Sequence, residues 1–184
     1  VKMKLLATDM DGTFLRDDKS YSDEFNDLYK QMLKQGIQFV IASGNQYEAL
    51  VCKFDEEIKN DLYYLCENGT KIVYQGKTLY KKALKKDDVK EVLDILKQDQ
   101  ECMLVVSGDK HAYISKSFED KKDFISLFMK NVQFVESYDD IEDDILKFSI
   151  ASFDDQMEQR IEKIQKQLKP HLKLVTTGNV WFDI

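Results

Sequence analysis

The chain is poor in the residues that build the commonest chemical sites. Three cysteines, Cys52, Cys66 and Cys102, occur among 184 residues. They offer neither an even number for pairing nor a metal-binding spacing, and read as reduced core or helix residues. His111 falls in a predicted hairpin and His171 follows Pro170, with no serine or cysteine at motif spacing, so surface or turn roles are expected for both. Positive charge is not in excess: 27 Lys+Arg stand against 34 Asp+Glu, a net charge of -7. That balance argues against a nucleic-acid partner, because a phosphate backbone rewards concentrated positive charge. No apolar run approaches the ~20 residues needed to cross a bilayer, which argues against a membrane partner. The opening VKMKLLATDMD meets an aspartate after one short apolar patch, unlike a signal peptide. A cytoplasmic protein is the expectation. Low-complexity segments are absent, and the one proline, Pro170, reads as a helix stop.

What the chain does have is material for a core. Hydrophobic residues make up 43% and aromatics 11%, enough for one ordinary domain or two small ones. KLLATDM reads as a buried strand, and a helix capped by Ser20 or Ser22 follows, with Phe25, Leu28, Tyr29, Met32 and Leu33 on one face and Gly36 as its stop. IQFVIAS is a second strand, a helix runs over residues 46–54, and LYYLC is a third strand. This order predicts a right-handed parallel α/β unit. ENGTKIVYQGKTLYKKAL then alternates around Gln75-Gly76 as a hairpin.

The second half has another rhythm. A helix over 87–96 precedes a hairpin turning at Gly108-Asp109, a helix carrying Phe124, Leu127 and Phe128, and the strand VQFVE. YDDIEDD reads as a solvated loop; KFSIAS, a helix with Met157, Ile161, Ile164 and Leu168, and the strands KLVTTG and VWFDI complete the chain. The fold class is α/β, a Rossmann-like parallel core over residues 1–80 joined to an α+β domain over 81–184.

Three features fall at strand ends on one side of the predicted sheet, where open α/β sheets bind ligands. Asp9 and Asp11, at i and i+2 beyond the first strand, can face one cavity. Gly12 lets the backbone approach a ligand and form an anion nest. Asp9 could attack a phosphoryl group as a carboxylate nucleophile while Asp11 protonates the leaving oxygen and then activates water. Such a pair needs a cation, and oxygen ligands imply Mg²⁺. Ser43, Gly44 and Asn45 end the second strand and open a helix, a natural phosphate contact. Glu67-Asn68-Gly69 ends the third, where Asn68 could touch substrate or hold the loop. Each has a plainer reading as an ordinary turn or cap; their coincidence favours a phosphate site.

KLLATDMDGTFL, FVIASGN and YYLCENGTKIV resemble the first motifs of the haloacid dehalogenase superfamily, and the layout resembles its Cof-type sugar-phosphate phosphatases with a large α/β cap. The resemblance implies that Asp9 is the aspartyl nucleophile and a metal ligand. It makes Asp11 the general acid/base, with its backbone carbonyl also on Mg²⁺. It places Ser43 as the phosphate-binding hydroxyl, helped by Gly44 and the backbone at Met10 and Gly12. Asn45 stands where many relatives carry arginine, and Asn68 matches a position often asparagine. The implied substrate is a small phosphorylated metabolite; no oligomeric state follows.

Two features of the family are not found. Its third motif supplies a lysine and its fourth, a G-D-x-x-N-D run, supplies further metal carboxylates, both after the cap. Lys147 and Lys173 fall within the cap and read as solvated charge; Trp181 reads as cap core. Strand one would lie at a sheet edge, which is a pairing hazard. The 184 residues therefore read as part of a longer phosphatase, the alternative being a phosphate- or metal-binding regulatory module. A phospho-accepting receiver is disfavoured by the second domain.

Overall fold

The computed structural model describes residues 4–99, 101–177 and 180–184. Its contacts divide the chain between Lys82 and Ala83 into two compact units.

The first unit is built on a five-stranded sheet in the order β1-β2-β3-β4-β5. Strands β1 (Leu5–Asp9), β2 (Gln38–Ala42) and β3 (Tyr63–Cys66) run parallel; β4 (Lys71–Tyr74) is antiparallel to β3, and β5 (Lys77–Lys81) is antiparallel to β4. Helix α1 (Phe25–Lys34) buries Phe25 and Tyr29 and part-buries Met32 and Leu33 against Phe39 and Ile41 of β2. Leu28 lies on the margin of that stripe and is 53% exposed, contrary to its predicted place in the core. The N-cap is Glu24 without a side-chain bond, and Ser22 Oγ instead accepts from the Glu24 N–H at 3.4 Å. At the other end Gly36, with φ 72°, lets its N–H reach Leu33 and that of Ile37 reach Met32. This is a Schellman stop, as the sequence predicts.

Helix α2 is shorter than expected, covering only Tyr47–Val51. Beyond it Phe54 and Ile58 are buried from tight turns. They keep a four-residue spacing from Leu50, so the sequence imitates a longer helix. The aromatic rings of Phe14, Tyr21, Phe25, Phe39 and Phe54 cluster at centroid distances of 4.7–6.4 Å. Strand β1 pairs with β2 alone among the described residues, and Leu5 is 59% exposed. It is an edge strand.

The second unit is a six-stranded sheet, ordered β10-β11-β9-β6-β7-β8. In chain order it contains α3 (Lys86–Leu96), β6 (Met103–Gly108), β7 (Ala112–Ser115), α4 (Lys122–Ser126) and β8 (Val132–Val135), then β9 (Ile145–Ala151), α5 (Met157–Gln165), β10 (Val175–Thr177) and β11 (Trp181–Asp183). All its pairs are antiparallel except β7 with β8. Val92, Leu93 and Leu96 of α3 and Ile164 of α5 pack on Leu104, Val106, Phe148, Ile150 and Phe182. Ile125 of α4 packs with Met103, Val105, Ile114 and Trp181 of the other set. With both faces covered, β6 and β9 are buried along their whole lengths, and their sequences run apolar instead of alternating. Trp181 is core, as expected. Gly178 and Asn179, between the two closing strands, lie outside the described residues.

Three expectations for this unit need correction. Helix α4 is one short turn, leaving Leu127 74% and Phe128 36% exposed instead of forming an apolar helix face. The acidic run is not simply solvated: Tyr138 Oη donates to the Leu104 carbonyl at 2.7 Å, and Asp143 accepts from Lys110 N–H and Tyr113 Oη. Lys147 is buried, with Nζ 3.0 Å from Asp183 Oδ2. Lys147 sits on the fully covered central strand β9, and the neighbouring strand β11 brings the Asp183 carboxylate beside it. Lys173 is exposed, as expected.

Candidate active site

The ends of three neighbouring parallel strands define the site. Asp9 closes β1 opposite Ala42, and Ala42 lies opposite Leu65 of β3. Adjacent strands lie about 4.8 Å apart, so the chain leaving β1 runs beside Ser43. The loops are tied together by backbone bonds: Ser43 N–H donates to the Leu65 carbonyl at 3.0 Å, and Glu67 N–H to the Asn45 carbonyl at 3.2 Å. Within the second loop, Asn45 N–H donates to Ser43 Oγ at 3.2 Å, which orients the hydroxyl. The predicted helix start is weak as an anion site, because α2 has only five residues and begins at Tyr47.

After Asp9 the chain makes a tight turn. Phe14 N–H donates to the carbonyls of Asp9 and Met10, at 3.2 and 3.1 Å, and Leu15 N–H to Met10 at 2.8 Å. Gly12 adopts φ 71°, the left-handed conformation that this turn requires of it. Met10 is buried with no exposure and packs into the core of this unit. Asp9 and Asp11 face solvent on either side of it.

The two carboxylates differ. No described side chain pairs with that of Asp9. Asp11 Oδ1 accepts from Lys19 Nζ at 2.8 Å. The same contact raises the proton affinity of Lys19 above its ordinary value, first through the hydrogen bond and then through the carboxylate's charge. Sequence reasoning missed Lys19; the signal was a lysine at the tip of the turn Asp17-Asp18-Lys19.

At the third strand end Glu67, Asn68 and Gly69 adopt φ of 49°, 55° and 90° in succession. Two non-glycine residues in the left-handed region cost roughly 1–2 kcal/mol each, held here by Thr70, whose N–H and Oγ1 both bond to the Glu67 carbonyl. Asn68 is exposed, while Gln46, Glu67 and Lys71 are buried polar side chains of this unit; sequence reasoning named Glu67 only as part of the strand-end turn, with no role of its own. Burial pushes the Cys66 thiol up to about 12, with the Glu67 charge adding to it and Lys71 opposing. Cys66 is therefore no nucleophile at neutral pH.

Among the described residues no group of three or more His, Cys, Asp or Glu side chains gathers as a metal cage. A cation held by one or two carboxylates, with waters and substrate phosphate completing its shell, needs no such cage. The unpartnered Asp9 carboxylate beside the Asp11 backbone suits Mg²⁺ in that mode. No described helix is long and apolar enough to cross a membrane.

Two curated phosphatases are similar to this chain in sequence. The Escherichia coli (strain K12) 5-amino-6-(5-phospho-D-ribitylamino)uracil phosphatase YbjI is 35% identical over 186 residues, covering 100% of this chain and 68% of that protein. The Bacillus subtilis (strain 168) phosphatase YcsE, of the same described activity, is 33% identical over 73 residues, 39% of this chain and 28% of its own. The crystal structure of SMU.1108c from Streptococcus mutans UA159 superposes with a TM-score of 0.84 at 26% identity, covering 98% of this chain and 69% of that one. The family model for haloacid dehalogenase-like hydrolases matches residues 6–184. With an α/β core and a separate cap, and matched over nearly its whole length, the chain belongs to the haloacid dehalogenase-like hydrolases.

Proposed function

We propose that the whole protein is a Mg²⁺-dependent phosphomonoesterase acting on a small phosphorylated metabolite through a phosphoaspartyl intermediate. The observation that carries this reading is the Asp9 carboxylate at the end of β1, which no described side chain pairs, opposite the end of β2 that the Ser43 loop follows, with the Ser43 hydroxyl oriented by Asn45 N–H. Asp9 attacks phosphorus as the ester P–O bond breaks, and Asp11 gives its proton to the departing oxygen. Asp11 then takes a proton from the water that releases phosphate. Ser43, Gly44 and Asn45, with the backbone of Met10 and Gly12, cradle the phosphate, and Asn68 borders it. Bound Mg²⁺, held by the Asp9 carboxylate and the Asp11 backbone carbonyl, would reduce the repulsion between carboxylate and phosphate. We place residues 1–80 in the catalytic core and 81–184 in the cap.

The motif-three lysine and motif-four carboxylates do not occur in these 184 residues, so the activity is assigned to the whole protein. The phosphorylated ribitylaminouracil named for both curated relatives heads the substrate panel. Phosphate release by the full-length protein is measured over that panel with and without Mg²⁺, beside Asp9→Asn. The substitution is expected to lower kcat by at least about 10³-fold, and chelation to abolish turnover. Wild-type rates in Asp9→Asn would overturn the nucleophile assignment.

A further inference from the structure

We propose that Lys19 is a positioning residue for the reaction: its ammonium holds Oδ1 of Asp11, leaving Oδ2 as the oxygen that meets the ester's leaving group. The inference rests on the phosphomonoesterase reading above and adds to it a residue outside the strand-end loops.

The geometry begins with a loop that is braced more heavily than an exposed turn requires. Arg16 N–H donates to the Ser20 carbonyl at 2.8 Å and Lys19 N–H to the Arg16 carbonyl at 2.9 Å, closing a hairpin-like tip. The Arg16 guanidinium bonds across it to Ser20 Oγ and to the Tyr21 carbonyl, at 3.2 and 2.9 Å. Asp18 accepts from both the N–H and the hydroxyl of Ser20, at 3.0 and 2.6 Å. Lys19 itself sits at φ 65°, a conformation that glycine or asparagine would take with less strain. The chain therefore holds a long cationic side chain where a turn-former is the cheaper choice, and the amine reaches the carboxylate of Asp11.

An exposed ion pair contributes little to stability, typically about 0–1 kcal/mol. Both partners here are substantially exposed, at 61% and 49% of their side chains. Stability is thus a poor reason for the arrangement, whereas orientation is a sufficient one. A carboxyl group that must deliver a proton has two equivalent oxygens and a free torsion. An ammonium on one oxygen removes both ambiguities, much as a third group orients the base beside a nucleophile. In the step concerned, an Asp9 oxygen bonds to phosphorus, the ester P–O electrons go to the leaving oxygen, and that oxygen takes the proton from Asp11 Oδ2. Asp11 is left as a carboxylate paired with Lys19.

The test uses leaving groups. In full-length protein, kcat and KM are measured for a simple alkyl phosphate, whose strongly basic alkoxide needs protonation, and for p-nitrophenyl phosphate, whose phenolate leaves unaided. Lys19→Met is expected to lower kcat/KM for the alkyl ester by about tenfold or more. It should leave kcat/KM for the aryl ester nearly unchanged, since that ratio excludes the later attack of water that both esters share, and Lys19→Arg should restore the alkyl value. An equal loss on both esters, or no loss on either, would overturn the role of Lys19 and leave the phosphatase reading standing. A wild-type protein inactive on both esters and on the metabolite panel would overturn both. Thermal unfolding of the two variants should match wild type, and a common fall in melting temperature with rate would mark a merely structural residue.

Discussion

Replacing Gly108 with alanine tests the second unit at its most crowded turn. Gly108 ends β6 and its N–H donates to the His111 carbonyl at 2.8 Å. A Cβ there would lie 2.8 Å from Asp143 Cγ and 2.9 Å from Tyr113 Cε2, and closer still to Asp143 Oδ2. That oxygen accepts from Lys110 N–H at 2.8 Å and from Tyr113 Oη at 3.0 Å, so it cannot retreat without stretching both bonds. Overpacking of this kind costs about 1–3 kcal/mol, and weakening a partly exposed carboxylate's bonds adds about 1 kcal/mol. The expected loss is about 2–4 kcal/mol, read as a lower denaturant midpoint at unchanged slope. Asp143→Ala alone should cost about 1–2 kcal/mol. In the double variant the main obstruction is gone, so the two effects should fall short of additivity by about 1 kcal/mol or more. A Gly108→Ala change within about 0.5 kcal/mol of wild type, or strict additivity with Asp143→Ala, would refute the reasoning.

Three further outcomes are expected. Asp154 is held down to about 2 from 3.8, chiefly by the Arg160 guanidinium bonded to it. Its folded-state value is depressed, so its contribution is present above about pH 3.8 and lost as pH falls towards about 2. Asp154→Asn should flatten that part of the stability curve, followed by circular dichroism. Burial raises the thiols of Cys66 and Cys102 to about 12 and about 11; with Cys52 exposed, alkylation of the native protein at pH 8 should label Cys52 alone, as mass mapping would reveal. Tyr138→Phe removes the donor to the Leu104 carbonyl and the acceptor for Ser115 N–H. It should cost about 1–3 kcal/mol on denaturant unfolding.

The strands of the first unit were legible because each is a local fact: an apolar run of the right length, closed by a turn signal. The strand ends carried Asp9, Ser43 and Asn68 with them, and the family resemblance rested on those same residues. What the sequence concealed is long-range or degenerate. Phe54 and Ile58 keep helical spacing from Leu50 yet are buried from turns, because burial fixes the interval and not the backbone. Lys147 looked solvated because its partner, Asp183, lies 36 positions away in sequence, on the strand β11 that pairing brings beside β9. Lys19 looked like any turn lysine, since nothing local says which of several nearby acids its amine will reach.

The edge position of β1 has a consequence for where the first unit opens. Asp9 is mounted on a strand whose ladder has one rail, shared with β2, while β2 is bonded on both sides. In hydrogen exchange, the amides of β1 that face away from β2 should therefore trade their protons first, well ahead of those in β2. Asp9 thus sits on the segment of these 184 residues that is expected to detach with the least work, and the exchange rates of β1 and β2 read that difference directly. A strand laid along that outer rail would slow those amides and steady Asp9 with them.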